Sequence, residues 1–138
     1  MSWVVDSCVL LDIALSDPKF AKKSAKSLDA LRGDGLSVCP VTLVEIGPAF
    51  GGRAEIVRQF CDGLGLASDP AWNHDDTRAA MRAWSSYVTA KRAGVADKRP
   101  IADILVGAYA SRRSGLITRN TADFSRWFAS MNMVDPAK

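Results

Sequence analysis

WVVDSCVLLDI, residues 3–13, sets two apolar runs on either side of Asp6-Ser7-Cys8. Trp3, Val4 and Val5 are strong strand formers with no polar break, which predicts a short buried strand. Asp6 closes that strand, and Val9, Leu10 and Leu11 resume the apolar pattern directly afterwards. A carboxylate wedged between two such runs is costly unless partners or a cation meet it.

Four further runs resemble the first: LSVCP (36–40), LGLAS (64–68), GLIT (115–118) and MNMV (131–134). Most are entered through glycine or left through Asp, Pro or Ser, and they read as strands. Helical spacing fills the intervals. Asp17 and Pro18 suit a helix start ahead of Phe20, Leu28 and Leu31, with Gly33 as the stop. Asn73 caps a second helix with Asp75 and Asp76 in its first turn, a stripe of Ala80, Ala83, Trp84, Tyr87 and Val88, and Lys91 and Arg92 at its end. PIADILVGAYA (100–110) is apolar nearly all round and predicts a buried helix. Gly51-Gly52 separates two helices between the second and third strands. Strands alternating with helices predict an α/β fold: a parallel five-stranded sheet with helices on both faces. With 138 residues, 48% of them hydrophobic, residues 1–138 fit a single domain with a real core.

Composition narrows the chemistry. A net charge of +3 is compatible with a polyanionic partner but does not demand one. Cys8, Cys39 and Cys61 are widely spaced, and His74 is the only histidine, so neither a disulfide scaffold nor a soft-metal site is expected. No signal segment or bilayer-length apolar stretch is visible, which predicts a soluble, cytoplasmic protein with no membrane partner.

In open α/β sheets, ligands bind beyond the carboxyl ends of the strands. Asp6, Glu45, Asp103 and Asp123 all fall at that rim. Each has a structural reading when taken alone. Thr42-Leu-Val-Glu45 fits a capping box, Asp123 fits the first turn of a helix capped by Asn120, and Asp6 suits an Asx-type cap. Asp103, on the buried-looking helix, is the hardest to explain that way. Taken together they raise a different issue. Carboxylates about 5 Å apart repel by roughly 3 kcal/mol per pair at an effective dielectric of 20, which a hard divalent cation would offset. Mg²⁺ or Mn²⁺ suits such an oxygen set and supports phosphodiester hydrolysis. There is no Ser-His-Asp triad, and GPAFGGR (47–53) matches no phosphate loop. Lys91, Arg92, Lys98, Arg99, Arg112, Arg113, Arg119 and Arg126 are candidate contacts for a phosphate backbone, with solvated helix ends as the alternative for Lys91 and Arg92. Trp3, Trp72, Trp84 and Trp127 read mainly as core residues.

VVDSCVLLDI, VTLVEIG, IADILVGAYA and GLITRNTADF, in this order across nearly the whole chain, resemble the acidic motifs of the PIN domain family. They are most similar to those of the VapC-like toxins of toxin–antitoxin pairs. The resemblance implies a Rossmann-like PIN domain and a Mg²⁺- or Mn²⁺-dependent endoribonuclease, neutralised by a cognate antitoxin and assembled as a homodimer. It carries catalytic roles onto Asp6, Glu45 and Asp103, with Asp6 and Asp103 as the metal ligands. Ser7 and Thr118 match supporting hydroxyl positions. Asn120 stands where many members have an acid, which makes Asp123 the fourth candidate. Residues 47–53 and FSRWF (124–128) are candidate self-association segments, with loop and core as the alternatives.

Three other assignments compete. A haloacid-dehalogenase-type phosphatase wants Asp-x-Asp, but Cys8 occupies the second position. A receiver module wants an acid pair and a late lysine. A PIN-like fold acting only as a partner-binding module remains the alternative to the nuclease.

Overall fold

The computed structural model describes residues 1–67, 71–94 and 100–138. All five apolar runs become strands: β1 (Trp3–Val5), β2 (Leu36–Ser37), β3 (Leu66–Ala67), β4 (Gly115–Ile117) and β5 (Met133–Val134). They form one parallel sheet in the order β3-β2-β1-β4-β5. Trp3 stands opposite both Leu36 and Gly115, and Ile117 stands opposite Val5 and Val134. The strand order reverses direction at β1, so the switch point lies between β1 and β4.

Seven α-helices are formed by the described residues: α1 (Ser7–Ala14), α2 (Ala21–Leu31), α3 (Pro40–Ile46), α4 (Ala54–Gly63), α5 (His74–Arg92), α6 (Ile101–Ser111) and α7 (Thr121–Ser125). Both sheet faces are covered, as the strand periodicity requires. Val5 and Ile117 face a core built with Val9, Leu10, Leu28, Val57 and Leu66. Their neighbours Val4 and Leu116 face the other way, against Val106, Tyr109, Ala110 and Phe124. A third cluster joins α5 to α6 through Ala79, Ala80, Ala83, Tyr87, Ile104 and Ala108. The architecture is thus α/β and Rossmann-like. No helix among the described residues is long and apolar enough to cross a membrane.

Local chemistry explains the helix ends, in two cases differently from expectation. Asn73 caps α5 with a full capping box: its side chain accepts from the Asp75 and Asp76 amides, and Asp76 accepts from the Asn73 amide. Thr42 and Glu45 form no capping box, because α3 starts earlier. Cys39 is its N-cap and Pro40 its first residue, which leaves Thr42 inside the first turn with a buried hydroxyl that has no hydrogen-bond partner among the described residues. Asp17 does not cap α2 either. Its Oδ1 accepts the amides of Lys19 and Phe20 at 2.8 and 2.9 Å, and the helix begins only at Ala21. Gly51 and Gly52, at φ 65° and 71°, make the turn into α4 that side-chain-bearing residues resist.

The tryptophans pack as core residues. Trp72 stacks on Tyr109, while Trp84 and Trp127 both meet Tyr87. Within the 124–128 segment, Phe124 is fully buried and Trp127 and Phe128 pack against the α5–α6 cluster, so this segment is core.

Candidate acidic site

Asp6 occupies the N-cap of α1, directly beyond the end of β1, with extended backbone (φ −76°, ψ 155°). Its Oδ1 accepts the Ser7 amide at 2.8 Å, and its Oδ2 accepts the Thr118 hydroxyl at 2.8 Å. The Cys8 thiol also donates to Oδ2 at 3.4 Å. Only 4% of the residue is exposed, so these donors replace water for a buried carboxylate. The cap expectation for Asp6 holds through Oδ1, while Oδ2 faces Thr118 and Cys8.

Thr118 comes from the neighbouring strand's exit. It is fully buried, its amide bonds the Val134 carbonyl at 3.0 Å, and its hydroxyl accepts the Asn120 amide at 3.0 Å while donating to Asp6. Asn120 sits at the N-cap of α7, yet its side chain makes no capping bond.

Glu45 projects from α3 and Asp103 from the first turn of α6. Glu45 is exposed overall, but its carboxyl is pushed above the ordinary glutamate range. Partial burial is the largest cause, followed by the negative charges of Asp6 and then Asp103; a hydrogen bond from Ser7 opposes the shift. Four predicted residues, Asp6, Ser7, Glu45 and Asp103, therefore share one electrostatic neighbourhood. Cys8 lies there too: burial, then the charge on Asp6, pushes its thiol up to about 11.

Asp123 stands apart. It is exposed in the first turn of α7, where it complements the helix dipole, and no hydrogen bond or ion pair ties it to the other acids among the described residues. No group of three or more Asp, Glu, His or Cys side chains forms a ready-made metal cage among those residues. The donor chemistry nonetheless fits a hydrated hard cation. The set offers only carboxylate and hydroxyl oxygens besides Cys8, the charges of Asp6 and Asp103 both bear on Glu45, and Mg²⁺ characteristically binds through one or two carboxylates while keeping several waters.

Four of the eight predicted phosphate contacts are engaged elsewhere. Arg113 is buried against Asp76 at 3.0 Å and bonds the Tyr109 carbonyl at 2.6 Å. Arg112 pairs with Asp75 at 3.4 Å. Both follow the C-terminal end of α6, the end away from Asp103. Arg126 lies over the Trp127 ring. Arg119 is bidentate to Asp12, with Nε and Nη2 at 2.8 and 2.9 Å from the two carboxylate oxygens. Lys98 and Arg99 lie outside the described residues, while Lys91 and Arg92 form the exposed last turn of α5.

Asp12 is the residue that sequence reading passed over. It sits inside the apolar run that follows Asp6, is 5% exposed, and takes a third donor from Ser24 at 3.0 Å. The available signal was a second acid, six residues after the first, on an otherwise apolar helix.

No protein-family model matches the chain, and no curated protein matches it.

Proposed function

We propose that this chain is a Mg²⁺- or Mn²⁺-dependent endoribonuclease of the PIN domain family, of the VapC-like toxin kind, held in check by a cognate antitoxin. The observation that carries this reading is the shared electrostatic neighbourhood of Asp6, Glu45 and Asp103 beside the switch point of the sheet. Like charges gathered where an α/β sheet opens are an arrangement that a cation stabilises.

Asp6 and Asp103 would hold the cation. Divalent-ion chemistry supplies polarisation of a phosphodiester oxygen and a lowered pKa for a coordinated water. The chain's own residues do the rest. Thr118, the Cys8 thiol and the Ser7 amide fix the Asp6 carboxylate and leave Oδ1 a lone pair for a ligand. Glu45, the remaining carboxylate of the neighbourhood, would receive a proton from an attacking water. In this reading Asp123 and Asn120, at the start of α7, stay candidates for a fourth site position. RNA is the substrate in this reading, and the protein acts as a homodimer.

One observation favours the alternative, a partner-binding module without catalysis. A groove of about 540 Å³ beside the start of α6 is lined by Pro40, Val41, Trp72, Met81, Trp84 and Ile101, with Met81 62% and Ile101 47% exposed. Apolar surface of this kind often marks an interaction site.

Cleavage of a structured RNA pool by the purified protein, with Mn²⁺ or Mg²⁺, separates the two. The nuclease reading expects cutting that EDTA and Asp6→Asn both abolish. Absence of both cutting and Mn²⁺ binding would leave the partner-binding reading.

A further inference from the structure

Of the three residues after β4, Thr118 and Arg119 carry the side chains that tie the segment to α1. Thr118 donates to Asp6 at the N-cap, and the next residue, Arg119, grips Asp12 nearly two turns further along the same helix. Asn120, third in the series, donates its amide back to the Thr118 hydroxyl. We propose that the Asp12–Arg119 pair is a positioning element for the acidic site, clamping residues 118–120 onto α1 so that Thr118 stays in register with Asp6.

The geometry favours this over a simple surface ion pair. Both guanidinium contacts are in the parallel fork arrangement that fixes orientation as well as distance. The Asp12 carboxylate is almost fully buried and receives three donors, two from Arg119 and one from Ser24. Phe20 closes the outer side, with the Arg119 guanidinium carbon 4.0 Å from its ring centroid. The segment needs such support. Past the end of β4, its backbone ties include the Thr118 amide to Val134, the Asn120 carbonyl to the Phe124 amide and the Arg119 amide to the Cys8 sulfur, and of these only the last, to a weak sulfur acceptor, reaches α1. A site residue works only when its own support is locked, and a fork between two elements locks both.

As a catalytic claim this inference rests on the nuclease reading, so its test has a readout that does not. The variants are Arg119→Lys, which keeps the charge but loses the fork; Asp12→Asn, which keeps the shape; and Ser24→Ala as the mildest perturbation. Amide hydrogen exchange by NMR reports the geometry directly, through the Ser7 amide bonded to Asp6 and the Asn120 amide bonded to Thr118. In Arg119→Lys and Asp12→Asn, exchange at these two amides should rise about tenfold or more while α5 and the central strands keep wild-type protection. Metal-dependent RNA cleavage should then show kcat lowered by about 10- to 100-fold, the range for supporting residues around a metal site, with KM little changed. Unchanged exchange at Ser7 and Asn120, or an equal rise throughout the molecule, would overturn the clamp. Local loosening together with wild-type kcat would remove its role in catalysis. Local loosening in a protein whose wild type cuts no RNA would keep the clamp and discard the nuclease.

Discussion

Thr118 gives Asp6 a hydroxyl hydrogen bond that no other described residue duplicates, so its removal tests how far the site depends on orientation. Thr118→Val keeps the shape and deletes the donor. Metal-dependent cleavage should fall about 10- to 100-fold, measured as kcat at saturating Mn²⁺, the loss expected for a partner that orients a ligand. Glu45 makes a prediction of opposite sign. Its carboxyl is raised in the folded protein by partial burial and by Asp6 and Asp103, so the folded state binds the proton more readily than the unfolded chain. The ionised form is thus destabilising near neutrality, and that cost is relieved as pH falls through the raised range. In EDTA at pH 7, Glu45→Gln should melt higher than wild type, and the gap should close on acidification; a wild type that melts higher than the variant at pH 7 would contradict this. At this scale, Asp6, Glu45 and Asp103 were legible because acids after apolar runs are conspicuous. Asp12 was not legible, because its meaning depends on Arg119, a partner 107 positions away.

Among the elements, α5 and α6 are joined by more than apolar packing. Asp76 is fully buried at the start of α5, where it closes the capping box and receives Arg113 from the far end of α6. Arg113 in turn lies flat on Tyr109, 3.4 Å from the ring centroid. Asp76→Ala should therefore cost about 3–5 kcal/mol, because it leaves a buried guanidinium without its counter-charge. Denaturant unfolding with unchanged m-value would measure this, and a loss under about 1 kcal/mol would show that the arginine finds water instead. All five strands and the α5 cap could be read directly, since each depends on residues close in sequence. The starts of α2 and α3 could not. Asp17 found a tighter turn with the amides two and three residues on, and Pro40 moved the beginning of α3 ahead of Thr42.

For the whole molecule, a cation that binds the folded site and not the unfolded chain must raise stability. At a free concentration 100 times Kd the gain is about 2.7 kcal/mol. Thermal melts with and without Mn²⁺ should show an upward shift in wild type that disappears in Asp6→Asn. An equal shift in both would place the ion elsewhere. The charges are divided between the two ends of the sheet. Acids gather where β1 opens, while Arg112 and Arg113 are neutralised by Asp75 and Asp76 at the opposite end. Along the chain those arginines fall between Asp103 and Asp123, and only the antiparallel packing of α5 and α6 carries them away from the acids. The position of β1 also has a consequence in time. As the central strand it is made first, yet one of its two neighbours is β4, and Asp6 meets Thr118 across 112 positions of chain. During synthesis β1 can be buried against β2 once both are made, but the acidic pocket lacks a wall until Thr118 has followed. A chain built this way completes its acidic pocket only when its fourth strand has paired with its first.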